Sequence, residues 1–215
     1  MSKSMLDNAP RFIVEPPIEP FVKDKQMLWP SLWGMDDASR FPELQAIKAR
    51  HSATRLQPLS SFVQAIAEAR MRVWLLDDYL FKASGEMEVD KLEQLLEWFP
   101  IGMAASDIRL LTKSAGKDVD AVYKEAFDER TQRINSFRRN ERCKIDVRFS
   151  LQTNFPYVHD RFAIVDDELW HFGAAVGGLH RQVNATTRGW SAAEHGAAEF
   201  FCLAWDHDEK VGKRR

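Results

Sequence analysis

The residues best suited to chemistry stand in one short stretch: His159, Arg161, Asp166 and Gly173, spaced H-x-R-x4-D-x6-G. On a strand, His159 and Arg161 are two apart and share a face. An imidazole and a guanidinium then converge on one spot. A phosphate suits that pair, because arginine can hold it in a fork while histidine attacks the phosphorus. Asp166 falls where the strand enters a turn, and a carboxylate there can orient an imidazole. Gly173 sits on the returning strand and allows close backbone approach. Upstream, Asp77 and Asp78 end an apolar run, and binding sites on α/β sheets lie at such strand ends. A helix cap or a salt bridge accounts for these two acids equally well.

The same residues admit plainer readings. His159 can be a core histidine satisfied by Asp160 or Asp166. His159, Asp166, Asp167 and His171 are also of metal-ligand type. However, Asp166-Asp167-Glu168 reads as an ordinary hairpin turn, so no metal and no cofactor is expected.

The elements that must position the motif read as an alternation of helices and strands. A helix is expected over 59–70, with Phe62, Ile66 and Ala69 at helical spacing. Arg72 to Asp78 reads as a buried strand ending in acids. Helix 89–98 places Val89, Leu92, Leu95, Leu96 and Phe99 on one face. Strand 108–112, a long helix over 118–139 and strand 144–149 follow. Strands 162–165 and 169–172 flank the acidic turn, and Glu199 to Trp205 reads as a last strand. That alternation predicts an α/β layer fold.

Residues 1–42 differ. They hold Pro10, Pro16, Pro17, Pro20, Pro30 and Pro42, six of the nine prolines. Proline fixes φ and removes a donor, so an irregular, extended arm is expected. Phe12, Ile13, Val14, Trp29 and Trp33 make it too apolar for a free linker. Residues 1–58 are therefore read as an extension that packs on the core or on a protein partner, and 59–215 as the folded domain.

With 30 Lys+Arg against 32 Asp+Glu, the net charge is -2. No diffuse positive field exists to draw nucleic acid or acidic membranes, so such binding needs a local patch. One stretch qualifies. Residues 130–148 hold seven basic groups, Arg130, Arg133, Arg138, Arg139, Arg142, Lys144 and Arg148, against Glu141 and Asp146. Arg138 and Arg139 are its candidate backbone contacts to nucleic acid, the alternative being a solvated helix face. No apolar run approaches the roughly 18 residues of a membrane span. The first ten residues lack a signal-peptide core. Cys143 and Cys202 form no CxxC pair. These features fit a cytoplasmic protein with reduced thiols.

The motif resembles the signature of the phospholipase D superfamily, H-x-K-x4-D-x6-G. The likeness is sharpest from Tyr157 to Gly173 and extends loosely to Val73–Tyr79 and Ile108–Thr112, so that 71–215 falls within it. The resemblance implies a phospholipase D-like mixed sheet flanked by helices, and a metal-independent phosphodiesterase of the single-motif nuclease type. His159 would form a phosphohistidine, Arg161 would replace the family's lysine as phosphate ligand, and Asp166 would position a histidine. Gly173, Asp77, Arg138 and Arg139 are the expected substrate contacts. The family builds one site from two motifs and this chain has one. A homodimer in which a second His159 acts as general acid is therefore implied. The chain departs from the pattern after Gly173, where Ala174, Ala175 and Val176 stand in place of the usual hydroxyl and amide side chains. That departure leaves open a second reading, a binding module that keeps the anion pocket for nucleic acid or a protein partner without turnover.

Overall fold

The computed structural model describes residues 21–30, 36–37, 41–81, 88–139 and 141–212. Three runs rich in aliphatic residues, β3 (Arg72–Leu76), β4 (Asp107–Leu111) and β5 (Lys144–Arg148), pair in parallel. Parallel pairing requires crossovers. Helices α3 (Glu88–Glu97) and α4 (Lys117–Ser136) supply them. The chain then reverses direction. β6 (Phe162–Val165), β7 (Glu168–Phe172) and β8 (Thr186–Ser191) run antiparallel to their neighbours, with β6 against β3. Two N-terminal strands, β1 (Gln26–Pro30) and β2 (Asp36–Asp37), complete an eight-stranded mixed sheet in the order β2-β1-β8-β7-β6-β3-β4-β5. The remaining helices are α1 (Leu44–Ser52), α2 (Ser60–Glu68), the single turn α5 (Leu151–Asn154) and α6 (Ala197–Gly212). This is the α/β mixed sheet flanked by helices that the alternation predicts.

Each face of the sheet carries its own core. On one side Val73, Leu75, Ile108, Leu110, Ala163 and Val165 pack with Phe62, Ile66, Leu95, Trp98, Tyr123 and Phe127 of α2, α3, α4 and the segment after α3. Phe62 is the hub, with ring centroids 5.5 Å from Trp98, 5.2 Å from Trp170 and 5.1 Å from Phe172. On the other side Trp74, Leu76, Phe162 and Ile164 pack with Phe201, Ala204 and Trp205 of α6. Period-2 strands with both faces covered leave almost no polar residue on β3 and β6, which is why they are legible as apolar runs.

Three sequence expectations need correction. Glu199 to Trp205 is not a strand but the middle of α6. Its buried residues Phe201, Ala204 and Trp205 recur at helical spacing, and a short apolar run does not by itself separate helix from strand. The described part of the N-terminal arm is not irregular, because Gln26, Met27 and Leu28 pair with Arg188, Thr187 and Thr186 of β8. Leu28, Arg50 and Leu56 of the extension are buried. Phe12, Ile13, Val14 and Trp33 lie outside the described residues. Finally, β8 escaped the pattern reading, because Thr186-Thr-Arg-Gly-Trp-Ser is polar and interrupted by a glycine. Gly189 has φ +98, and a side chain there would collide with the backbone of Asp24 and Lys25. The arm is further tied down where Glu168, 1% exposed, meets Lys23 at 2.6 Å and Arg188 at 2.8 Å.

Among the described residues no helix is long and apolar enough to cross a membrane. Both cysteines are free, Cys143 buried and Cys202 half-buried.

Candidate functional site

Because β6 runs antiparallel to β3, with Phe162 opposite Leu76, the start of β6 lies beside the end of β3. That register brings Arg161 to Asp77, with Arg161 Nε 3.5 Å from Asp77 Oδ1. The guanidinium also lies over the Tyr79 ring, 4.9 Å from its centroid. Asp77 is fully buried. It accepts hydrogen bonds from the Tyr79 N–H at 2.7 Å and from the Val176 N–H at 2.8 Å. Burial pushes its carboxyl above the usual range, opposed by those two amides and by the charges of Arg161 and Lys91. The expected role of Asp77 in touching substrate therefore gives way to a structural one, since a side chain with no exposed surface holds Arg161 and the 174–178 loop together. The adjoining Asp78 has one buried carboxylate oxygen without a hydrogen-bond partner among the described residues.

Three further groups join this end of the sheet. Lys91, on α3, donates to the Tyr79 carbonyl at 3.2 Å. Arg50, on α1 and 1% exposed, donates to the Gly178 carbonyl. His180 follows that loop, with Nδ1 3.5 Å from Asn184 Nδ2. Burial lowers His180 to about 4, and the positive charges of Arg50, Arg161 and Lys91 act in the same direction. Its imidazole is thus neutral at pH 7. None of these three residues is marked by sequence spacing. They come from α1, α3 and a loop, and only the topology makes them neighbours.

His159 is exposed and precedes β6 instead of lying on it, as does Arg161. The expectation of the two side by side on a central strand is corrected to two positions in the segment leading into that strand. Tyr157, two residues earlier, has 75% of its surface exposed. Asp160, between the pair, bonds His171 of β7 at 2.7 Å, so it is not satisfying His159.

Asp166 is placed away from His159. The four residues of β6 separate them by roughly 13 Å of strand rise. At the far end Asp166 takes a left-handed conformation with φ 55. Its carboxylate accepts from the backbone N–H groups of Arg70, Met71 and Arg72 at 2.8 to 3.2 Å. The residue that was to orient a histidine instead clamps the start of β3. The same separation removes the combination of His159 with Asp166, and no group of three or more His, Cys, Asp or Glu able to hold a metal occurs among the described residues. A stability prediction follows for Asp166→Ala. It loses the acceptors of three amides and places an alanine at positive φ, costing about 2–4 kcal/mol by urea denaturation. An unchanged midpoint would show that the clamp carries nothing.

Gly173 does permit close approach, but to its own chain. Its N–H donates to the Ala185 carbonyl at 3.0 Å, and an added Cβ would stand 3.2 Å from that oxygen. The basic stretch is dispersed. Arg138 donates to the Met103 and Ala105 carbonyls at 2.6 and 2.7 Å. Ser106 bonds Glu141, just beyond Arg138 and Arg139, at 2.8 Å. Both arginines therefore lie near the start of β4, the opposite end of the sheet from Arg161. Arg148 lies over the Trp205 ring on the α6 side, and Lys144 pairs with Asp146 at 2.8 Å. Within 130–148, Arg138 is thus engaged with backbone carbonyls and Arg148 with Trp205, while Arg133, Arg139 and Arg142 are exposed.

No protein-family model matches the chain, and neither does any curated protein. Among solved structures it is similar to TrmBL2, described as an archaeal chromatin protein with a novel mode of DNA binding. That likeness has 9% sequence identity and a TM-score of 0.39 over 90% of this chain, which spans 55% of the TrmBL2 chain.

Proposed function

We propose that the chain is a metal-independent phosphodiesterase that cleaves nucleic acid through a phosphohistidine on His159, as the phospholipase D resemblance implies. The observation carrying this reading is that Arg50, Lys91 and Arg161 all act on His180, with Arg161 and Lys91 also beside Asp77, and that an exposed histidine stands two residues from Arg161. A cluster of three cations at one end of the sheet favours an anion. It stabilises the further negative charge that builds on phosphoryl oxygens when a nucleophile adds. His159 is solvent-accessible, as a nucleophile for a large substrate must be. The exposed Tyr157 ring beside it offers a stacking surface for a base, which favours nucleic acid among phosphodiesters. The acid for the leaving oxygen has two possible sources, a second copy's His159 in a homodimer or a group of the same chain.

The test is hydrolysis of a single-stranded oligonucleotide in excess EDTA, with acid-labile and base-stable phosphate sought on the protein after rapid quenching. Undiminished turnover with label on His159 is the expected result. Activity lost to chelation and restored by a divalent cation would replace this reading with a metal-dependent one. Binding without turnover would leave the anion-binding module, which the absence of a hydroxyl side chain at 174–176 favours.

A further inference from the structure

We infer that Lys91 is the general acid of this site, protonating the leaving oxygen from within the same chain. This rests on the phosphodiesterase reading above. Arg161 and Lys91 both act on one buried carboxylate, Asp77, and the Lys91 ammonium is anchored 3.2 Å from the Tyr79 carbonyl, while the Tyr79 ring carries Arg161. Phosphate ligand and ammonium are thus fixed to the same two residues at the end of β3. Lys91 is half-buried, and burial brings it down from its ordinary value to about 8, with Asp77 pulling it back up. An acid of that strength is still charged near neutral pH and gives up its proton far more readily than a solvated lysine. The titratable groups shown to interact with it are Asp77, just after β3, and His180 from the loop after β7. His180 is held neutral by burial and by the charges of Arg50, Arg161 and Lys91, so it does not compete as the acid in the free protein.

The steps balance as follows. A ring nitrogen of His159 bonds to phosphorus. The P–O bond to the leaving alcohol breaks, its electron pair stays on oxygen, and that oxygen takes a proton from the Lys91 ammonium. Water then adds to the phosphohistidine, the P–N bond breaks, and the proton released by water returns to the Lys91 amine. The product is a phosphomonoester, and one chain carries both roles.

Leaving-group dependence separates this proposal from a structural role for Lys91. A nucleotide alkoxide needs a proton as it departs, and a p-nitrophenolate does not. Lys91→Met and Lys91→Arg are each compared with the unaltered protein on a dinucleotide and on thymidine 5′-(p-nitrophenyl phosphate). Both variants should lose about 10²- to 10³-fold on the dinucleotide and no more than about fivefold on the p-nitrophenyl ester. A guanidinium keeps the charge but cannot give up its proton, so rescue by Lys91→Arg overturns the proposal in favour of electrostatics alone. Equal losses on both substrates would also overturn it, by making Lys91 a binding or folding residue. Unchanged dinucleotide cleavage would place the acid elsewhere, including on a second copy. If the unaltered protein cleaves neither substrate, the phosphodiesterase reading itself fails.

Discussion

His159→Ala removes turnover of a phosphodiester by about four decades or more, which corresponds to about 5 kcal/mol of lost transition-state stabilisation. The size follows from the role. Without a nucleophile the covalent path closes, and only the electrostatic pull of the pocket on a direct attack by water remains. The clarity of the test follows from the structure. His159 is exposed, outside any strand, and replacing it should move stability by no more than about 0.5 kcal/mol. Loss of activity with an unchanged unfolding midpoint therefore cannot be assigned to the fold. Arg161→Ala behaves differently. It leaves Asp77 without its ion-pair partner at 3.5 Å and uncovers the Tyr79 ring. Substrate affinity, rate and stability should fall together. A His159→Ala protein that retains more than about a tenth of the activity would remove histidine from the chemistry, and the phosphohistidine with it.

The parts of this molecule legible in the sequence are those where one physical demand acts alone. β3 and β6 are short apolar runs because both of their faces are covered, and β5 is legible from its alternation, with Ile145 and Val147 on the covered face. α2, α3 and α4 show one apolar stripe each. The motif His159-Asp160-Arg161 reads as an anion-binding pair in the sequence, and the register of β6 on β3 sets Arg161 beside the end of a parallel strand. What failed was the assumption that motif neighbours act together. Asp166 is five residues from Arg161, yet a strand lies between them, so the two side chains serve opposite ends of the sheet. The charge run from Arg130 to Arg148 crosses from a helix through a turn into a strand, so that Arg148 lies on Trp205 while Arg138 bonds carbonyls at the start of β4. Conversely Arg50, Lys91 and His180 left no local signal, because only the path of the whole chain makes them neighbours. α6 shows the limit of pattern reading at short range, since four apolar residues between Phe200 and Leu203 fit either period until Trp205 completes the helical face.

Gly177→Ala should be a strongly damaging single-methyl change, at about 2–5 kcal/mol. Two costs add. Gly177 has φ +75, a conformation that costs an L-residue about 1–2 kcal/mol. An added Cβ would also press into the ring of Trp98, which is 1% exposed and packed edge-on against Phe62. Overpacking of that kind adds about 1–3 kcal/mol where the neighbour cannot move, and a large ring fixed in a dense core has nowhere to go. The loop around this glycine is also what closes the candidate site. The Val176 N–H donates to Asp77 at 2.8 Å, the Gly177 carbonyl accepts from the Leu59 N–H at 2.9 Å, and the Gly178 carbonyl accepts from Arg50. Displacing the loop loosens all three at once. Asp77 then loses an amide that favours its ionised form, while its burial continues to oppose that form. Activity should therefore fall even in the fraction that stays folded. Gly102→Ala is the control, because nothing lies within 4 Å of its added Cβ, and its cost should stay below about 1 kcal/mol. Unfolding midpoints of the two variants decide the matter. Equal midpoints would mean that Trp98 yields to the methyl and that the loop is not the rigid closure on which the geometry of Asp77 depends.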